Sequence, residues 1–356
     1  MENKNYYCVI MAGGIGSRFW PISTSKLPKQ FHDILGTGKT LIQQTFERLK
    51  AVVPEENIFI ITNEEYVDLT LTQLPTINKN QVVGEPKMMN TAACNIYMAE
   101  KIHQLNPEAV VVVAPSDHLI LDENSFVENV LIALDHAQQE NILVTLGITP
   151  TRPDTGYGYI ECNKENKGAL HKVKSFKEKP DLQTAKMFIS SKNFLWNSGI
   201  FIWSTISILS SFHKYLPEMF EIFESIKYDF NSDKEKDEVE KVYSKIEKIS
   251  IDYGILEKSD NVWVIPSSFG WSDLGTWGAL YENFDKNEEG NAVHGKHIYT
   301  YDTTNTIIKT DQNEKIFIVD GLTDYIIVDT KDALLVCPRD KDQKIKVYLE
   351  NIKKLK

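Results

Sequence analysis

The chain has 356 residues, enough for one large α/β domain and a smaller second one. With 42% hydrophobic and 25% charged residues it has the composition of a globular protein, which argues against large-scale disorder. The formal net charge of −11 argues against a protein that wraps nucleic acid, because such a protein needs a basic face; a phosphorylated substrate held by a few local cations and a metal remains compatible with it.

Neither export nor membrane insertion is predicted. The short apolar stretch at residues 7–12 ends at Gly13-Gly14, and the apolar run at 109–114 is far below membrane-spanning length. The four cysteines are far apart and form no C-x-x-C pair, a spacing that fits neither a zinc site nor a disulfide framework. We therefore expect a cytoplasmic protein with reduced thiols that binds neither nucleic acid nor a membrane.

The first half of the chain alternates short apolar runs with helical patterns. Strands are predicted at residues 6–11, 58–62, 109–114 and 142–148, and helices at 41–49, 91–104 and 125–138. Strands that are continuously apolar and separated by helices indicate a Rossmann-like α/β fold, with a mixed, mostly parallel sheet and helices on both faces. Ligands of such sheets bind at the carboxyl ends of the strands.

The pattern is less regular further on. Strands are predicted at 173–177 and 200–203, and a charged amphipathic helix at 233–249. After about residue 285, apolar residues recur every nine positions, at Ile308, Phe317, Ile326 and Leu335. This spacing predicts a small β domain, either a short β-helix or a meander, closed by a helix at 340–353. The predicted domains are therefore 1–285 and 286–356.

A glycine-rich loop at residues 12–18 follows the first strand directly. Glycines let a backbone turn sharply and bring its N–H groups against a phosphate or a base. The loop is not a dinucleotide fingerprint, because Phe19 stands where the third glycine is required. Gly38-Lys39-Thr40 does not end a P-loop either, because Asp33 stands where its first glycine would be.

Two cationic side chains accompany the loop. Arg18 lies within it, and Lys29 follows in Pro28-Lys29-Gln30-Phe31. Positive charges beside backbone N–H groups suit the binding of a triphosphate. We expect neither side chain to have a buried structural role.

Residues 13–31 resemble the signature of sugar-1-phosphate nucleotidyltransferases, in the version typical of bacterial mannose-1-phosphate guanylyltransferases. Trp20-Pro21 and Pro28-Lys29-Gln30-Phe31 are its specific parts. Further blocks follow in the family's order: Glu85-Pro86, Asn90-Thr91-Ala92, Pro115-Ser116-Asp117-His118, Thr155-Gly156-Tyr157-Gly158, Phe176-Lys177-Glu178-Lys179-Pro180, Trp196-Asn197-Ser198-Gly199, Gly270-Trp271-Ser272-Asp273 and Val336-Cys337-Pro338-Arg339.

The resemblance implies an enzyme that uses GTP, mannose 1-phosphate and Mg²⁺, and it leaves open a homodimer formed through the small β domain. It assigns the metal to Asp117 and Asp273 and the contact with the phosphate of the sugar to Lys179. Arg18 and Lys29 are the other catalytic candidates, and we expect them to hold the leaving pyrophosphate. The resemblance also implies two binding sets. The nucleotide-binding residues are Ala12, Gly13, Gly14, Gly16, Ser17, Glu85, Asn90, Thr91 and Ser116, and the sugar-phosphate-binding residues are Gly158, Glu178, Lys179 and Asn197. Glu85 is the candidate acceptor for the two donors on the Watson–Crick edge of guanine.

The sequence departs from the family pattern at Met89, where relatives usually have arginine, and near Ser268, where they tend to have an acid. A glycosyltransferase would carry a D-x-D metal motif, but this strand end has Ser116-Asp117-His118. An oxidoreductase is disfavoured by the broken fingerprint. A non-catalytic relative that senses nucleotide sugars would be expected to lose some of Arg18, Lys29, Asp117 and Asp273, and all four are present.

Overall fold

The computed structural model describes residues 3–355, and their side chains except at positions 164 and 353–355. The α-helices are α1 Leu41–Lys50, α2 Val67–Gln73, α3 Thr91–Leu105, α4 Glu123–Gln139, α5 Leu182–Ser191, α6 Thr205–Tyr215, α7 Pro217–Glu224, α8 Glu235–Tyr243, α9 Trp277–Asn283 and α10 Ile345–Leu355. The strands are β1 Tyr6–Ala12, β2 Ile58–Asn63, β3 Val82–Glu85, β4 Val110–Pro115, β5 Leu119–Ile120, β6 Leu143–Ile148, β7 Tyr159–Lys167, β8 Leu170–Lys177, β9 Phe194–Ser204, β10 Val262–Ser267, β11 Trp271–Ser272, β12 Ala292–His294, β13 Ile298–Tyr301, β14 Ile307–Thr310, β15 Phe317–Asp320, β16 Tyr325–Asp329 and β17 Leu334–Pro338.

The chain forms two compact units, each built from separate stretches of sequence. The first contains the residues up to Gly13, 45–116 and 120–271, and the second contains 14–44, 117–119 and the residues from Ser272 on. No single cut of the chain produces these units. The boundary at 285/286 stays a prediction about sequence domains.

The first unit contains a nine-stranded sheet in the order β3-β2-β1-β4-β9-β6-β10-β8-β7. The pairings show that only β8 and β9 run against the other seven strands, which confirms the mixed, mostly parallel sheet. Both faces of β4 are covered, because each residue from Val110 to Ala114 is buried. The predicted strands and helices of the first half are confirmed to within one or two residues at each end.

On one face of this sheet, alternate strand residues pack against α3, α6, α7 and α8 in one large apolar cluster. Val9, Phe59, Val111 and Phe201 come from the strands, and Tyr97, Phe212, Phe223 and Tyr243 come from the helices. This packing fixes the carboxyl ends of three strands. The glycine loop begins at the end of β1, Glu85 is the last residue of β3, and Ser116 directly follows β4.

In the second unit, successive strands alternate between two parallel sheets. Strands β12, β14 and β16 belong to one and β13 and β15 to the other. Ile307 pairs with Ile326 and Ile298 with Phe317, so one full coil takes 19 residues, about two of the nine-residue intervals. The domain is therefore a short β-helix, and only the final pair β16–β17 is antiparallel as in a meander.

Two predicted helices are too long. The helix predicted at 233–249 is α-helical only over Glu235–Tyr243, and Ser244 Oγ bonds back to the Lys241 carbonyl at its end. The closing helix begins at Ile345, because Arg339–Lys344 forms a 3₁₀ turn in which Asp342 accepts a hydrogen bond from the Gly278 N–H. None of the helices within residues 3–355 has both the length and the apolarity that crossing a bilayer requires.

Candidate active site

The glycine loop continues β1 and turns at Gly16, whose φ is +69°. A Cβ at this position would lie 2.5 Å from Lys29 Cβ, so only glycine lets the Lys29 stem pack here. The Lys29 N–H donates to the Ile15 carbonyl at 3.2 Å, and the Ser23 hydroxyl donates to the same carbonyl. The loop therefore fixes both the backbone and the side-chain stem of Lys29.

The ammonium of Lys29 lies inside the second unit and is nearly inaccessible, with the residue 2% exposed. Its Nζ lies 2.9 Å from Asp117 Oδ2 and 2.7 Å from the backbone carbonyl oxygen of Asp273. It also lies 5.3 Å from the centre of the Phe19 ring. The expectation that Lys29 would have no buried structural role is wrong, because the fold surrounds it and gives it two oxygen acceptors.

The carboxylate of Asp117 is held ionised by this neighbour. Burial would raise the pKa of Asp117, but the Lys29 ammonium, His118 and the hydrogen bonds to the carboxylate together bring the pKa below its usual value. The structure thus brings Lys29 together with both residues predicted to hold the metal, Asp117 through its carboxylate and Asp273 through its backbone.

Asp117 and Asp273 supply hard carboxylate oxygens, the kind of ligand that magnesium prefers. Asp273 Oδ1 accepts from the Gly275 N–H at 2.8 Å, and a Cβ at Gly275 would meet Asp273 Oδ2 at 2.6 Å, so the glycine leaves room for this carboxylate. Within residues 3–355 no group of three or more His, Cys, Asp and Glu side chains could enclose a metal. Two hard carboxylates nevertheless suit Mg²⁺, since it takes few protein ligands and completes its shell with phosphates and waters.

Arg18, in the 3₁₀ turn Ser17–Phe19, is exposed and forms no salt bridge with any residue the structure describes. Gly14 is equally accessible, since a Cβ built there would find no atom within 4 Å. Backbone N–H groups and an arginine on an open loop are suited to contact the oxygens of a polyphosphate.

Glu85 ends β3 and is 7% exposed. Its Oε1 accepts from the Tyr243 hydroxyl at 2.8 Å, while a Cβ at Gly13 would lie 3.8 Å from its Oε2. Burial raises the pKa of Glu85 to about 7, although the bond from Tyr243 opposes the shift. Sequence reasoning placed Tyr243 only on an apolar helix face; a buried phenol that must find an acceptor is the signal that could have singled it out.

Asn90 and Thr91 lie at the start of α3, and the side chain of each accepts a hydrogen bond from a backbone N–H of the first unit. Asn90, at φ 71°, caps the helix by accepting from the Thr91 N–H, and Thr91 Oγ1 accepts from the Ile251 N–H at 2.9 Å. Ser116 is 2% exposed, and its carbonyl accepts from Thr45 Oγ1. Met89 packs against the apolar cluster of the first unit, so the family's arginine position is filled by an apolar contact.

The predicted sugar-phosphate residues meet in the first unit. The Asn197 N–H donates to the Gly158 carbonyl at 2.8 Å, and a Cβ at Gly158 would meet Glu178 Oε2 at 2.5 Å. Lys179, at φ 45°, pairs with Glu178 at 2.8 Å, and its side chain is 61% exposed. Such an exposed pair adds little stability, so Lys179 can exchange Glu178 for a phosphate at small cost.

Asp252 completes this cluster and was missed by sequence reasoning. Its Oδ1 accepts from Asn197 Nδ2 at 2.8 Å. The residue opens the π-helical turn Asp252–Leu256, 55 positions along the chain from Asn197. No local pattern in the sequence connects the two.

Residues 7–290 match the family model described as "Nucleotidyl transferase". The chain belongs to this family. Residues 295–352 of this nucleotidyl transferase match a second model, described as "MannoseP isomerase/GMP-like beta-helix domain". The second match agrees with the alternating parallel strands of the second unit.

Relatives resemble this nucleotidyl transferase over nearly its whole length. The mannose-1-phosphate guanylyltransferase of Escherichia coli (strain K12) is 33% identical over 362 residues, covering 99% of this chain and 74% of the relative. The Salmonella muenchen protein of the same name is 35% identical, covering 97% and 73%. A crystal structure from Thermus thermophilus, named mannose-1-phosphate geranyltransferase, superimposes with a TM-score of 0.87 at 30% identity, covering 98% of this chain and 99% of that one.

Proposed function

We propose that this nucleotidyl transferase transfers GMP from GTP to mannose 1-phosphate, giving GDP-mannose and pyrophosphate. Similarity to proteins named mannose-1-phosphate guanylyltransferase over nearly the whole chain supports both substrates. The observation that carries the choice of nucleotide is the buried carboxylate of Glu85. When ionised it accepts hydrogen bonds from the two donors on the Watson–Crick edge of guanine, whereas adenine presents an acceptor there.

In the reaction, an oxygen of the sugar phosphate attacks the α-phosphorus of GTP in line. An O–Pα bond forms, the bond from Pα to the bridging oxygen of the β-phosphate breaks, and pyrophosphate leaves with that electron pair. The attacking phosphate is already ionised at neutral pH, so no protein base is needed. The protein has to position the reactants and neutralise charge.

The described side chains divide this work. Arg18 contacts the leaving pyrophosphate, and Lys179 contacts the phosphate of the sugar. Lys29 keeps Asp117 ionised and oriented, and it neutralises part of the charge that two carboxylates bring to the phosphates. Asp117 and Asp273 would hold Mg²⁺, which when bound supplies positive charge to the phosphate oxygens.

A screen of pyrophosphate release tests the proposal. GTP, ATP, UTP and dTTP are each combined with mannose 1-phosphate, glucose 1-phosphate and other sugar 1-phosphates, with and without Mg²⁺. We expect GTP with mannose 1-phosphate to give the highest kcat/KM. A higher value for UTP or dTTP with glucose 1-phosphate would overturn the assignment within the family, and no release with any pair would overturn the activity itself.

A further inference from the structure

The side-chain amide of Asn197 is held in one orientation from both ends. Its Oδ1 accepts from the Gly199 N–H at 3.1 Å, and its Nδ2 donates to Asp252 Oδ1 at 2.8 Å. If the amide were rotated by half a turn, its NH₂ group would face the Gly199 N–H and its oxygen would face the Asp252 carboxylate. Neither pair could form a hydrogen bond, so both bonds require the observed orientation. The nitrogen carries a second hydrogen, which can donate to a ligand.

Asp252 is itself fixed by the backbone around it. The Ile251 N–H donates to Thr91 Oγ1 at 2.9 Å, and the Ile249 carbonyl accepts from the Ala92 N–H at 3.2 Å. Ile251 and Ile255 are fully buried on either side of the aspartate. The π-helical turn that starts at Asp252 is a rare conformation, one that often occurs at functional sites.

A second carboxylate lies in the same cluster. Burial raises the pKa of Asp252, the hydrogen bond from Asn197 lowers it, and the charge of Glu178 raises it again, with a raised pKa as the net result. Glu178 packs against Gly158 and pairs with Lys179. A hydroxylated ligand at this cluster therefore meets a fixed N–H donor from Asn197 and a carboxylate acceptor from Glu178.

We infer that Asp252 is a positioning residue that sets sugar selectivity: it orients the Asn197 amide to donate to one sugar hydroxyl while Glu178 accepts from another. The inference rests on the proposed function, since it concerns the sugar 1-phosphate of that reaction. Mannose and glucose differ in the orientation of one hydroxyl, and a donor and an acceptor held in fixed places discriminate between such epimers better than mobile groups do.

The test compares Asp252→Ala and Asp252→Asn with a matched control, Asp260→Asn. Asp260 is an exposed aspartate eight positions after Asp252, just before strand β10. kcat and KM are measured for mannose 1-phosphate, glucose 1-phosphate and GTP. Asp252→Ala should raise the KM for mannose 1-phosphate about tenfold, as expected for losing one hydrogen bond to a charged group, and should lower the mannose-over-glucose ratio of kcat/KM by about as much. The KM for GTP should stay within about twofold.

Asp252→Asn keeps an oxygen acceptor and should restore most of the selectivity. The exchange variant Asp252→Asn/Asn197→Asp separates positioning from support of the fold. It restores a hydrogen bond in the reverse direction but leaves position 197 without a donor, so it should be as stable as wild type and remain unselective. Asp260→Asn should behave as wild type.

The inference fails if a folded Asp252→Ala variant keeps the wild-type selectivity ratio and sugar KM, or if the exchange variant regains selectivity. It also fails if both sugars lose kcat/KM equally, because general damage to the fold has that effect. Absence of turnover in the wild type with GTP and mannose 1-phosphate would instead overturn the proposed function. The Asp252 comparison would then be made with the sugar phosphate that the wild type does use.

Discussion

Lys29 and Asp117 are 88 positions apart in the chain and form an ion pair of 2.9 Å in which the lysine side chain is 3% exposed. The cation that the sequence placed beside a phosphate-binding loop is therefore also the cation that keeps a predicted metal ligand ionised. Removing a buried charge from such a pair leaves its partner uncompensated.

Lys29→Met should consequently affect both stability and activity. We expect a loss of about 2 kcal/mol in the free energy of unfolding, below the range for a fully buried pair because the Asp117 side chain is 31% exposed, together with a strong loss of turnover. The measurements are urea unfolding and pyrophosphate release. Arg18→Ala is the matched control: its side chain is exposed, so it should unfold like wild type and still lose turnover by about 10²-fold. Wild-type stability in Lys29→Met would show that the pair does not support the fold.

Asp117→Asn and Asp273→Asn should each shift the magnesium dependence of activity to higher concentration and reduce turnover. Their double variant should lose much less than the product of the two single losses, because residues that hold one ion act as a unit. Activity is titrated with Mg²⁺ for all three, with folding checked by circular dichroism. Asp320→Asn, an exposed aspartate at the end of β15, is the control. An unchanged magnesium response in a folded single variant would remove that residue from the metal site.

Glu85 should make GTP binding depend on pH. Guanine needs the ionised carboxylate, whose pKa is raised to about 7, so the KM for GTP should rise as the pH falls through this value. Glu85→Gln should raise the KM at all pH values and abolish this dependence. The raised pKa also makes stability depend on pH, in the opposite direction to GTP binding. Between about pH 4.5 and about pH 7 the folded chain keeps a proton on Glu85 that the unfolded chain has released. The free energy of unfolding should therefore decrease as the pH rises from about 4.5 to about 7. A pH-independent KM in the wild type would contradict the role of Glu85.

Gly16→Ala should displace Lys29, since the new Cβ would meet Lys29 Cβ at 2.5 Å. Gly36→Ala is the matched control, because Gly36 has nearly the same φ, +73°, with no atom within 4 Å of a Cβ. Both variants bear the backbone strain of about 1 kcal/mol, but only Gly16→Ala adds the steric clash. We expect a clearly larger loss of unfolding free energy and a loss of turnover in Gly16→Ala alone. Equal losses in the two would mean that the contact with Lys29 is easily relieved.

The regular elements could be predicted because their signals are local. Apolar runs predicted β1, β2, β4 and β6, and the glycines predicted the turn that follows β1. The partners within the site could not be predicted in this way. Glu85 meets Tyr243 across 158 positions and Asn197 meets Asp252 across 55, and no periodicity connects residues that are only brought together by strand order. The helix predicted at 233–249 ends at Tyr243 although Ile246 is still buried in the same apolar cluster, because the spacing of apolar residues does not show where Ser244 Oγ bonds back to the Lys241 carbonyl.

The second unit combines an early stretch of the chain with its last quarter, and this has a consequence for folding during synthesis on the ribosome. Phe19, Ile34 and Leu41 pack in one apolar cluster with Trp277 and Ile326, so these early residues acquire their native neighbours only after the last quarter of the chain has emerged. Until then they expose apolar surface, the condition under which chains aggregate or recruit chaperones. Residues 14–18 of the glycine loop and Lys29 lie in this same early stretch. Part of the candidate active site is thus among the first residues made and among the last to fold.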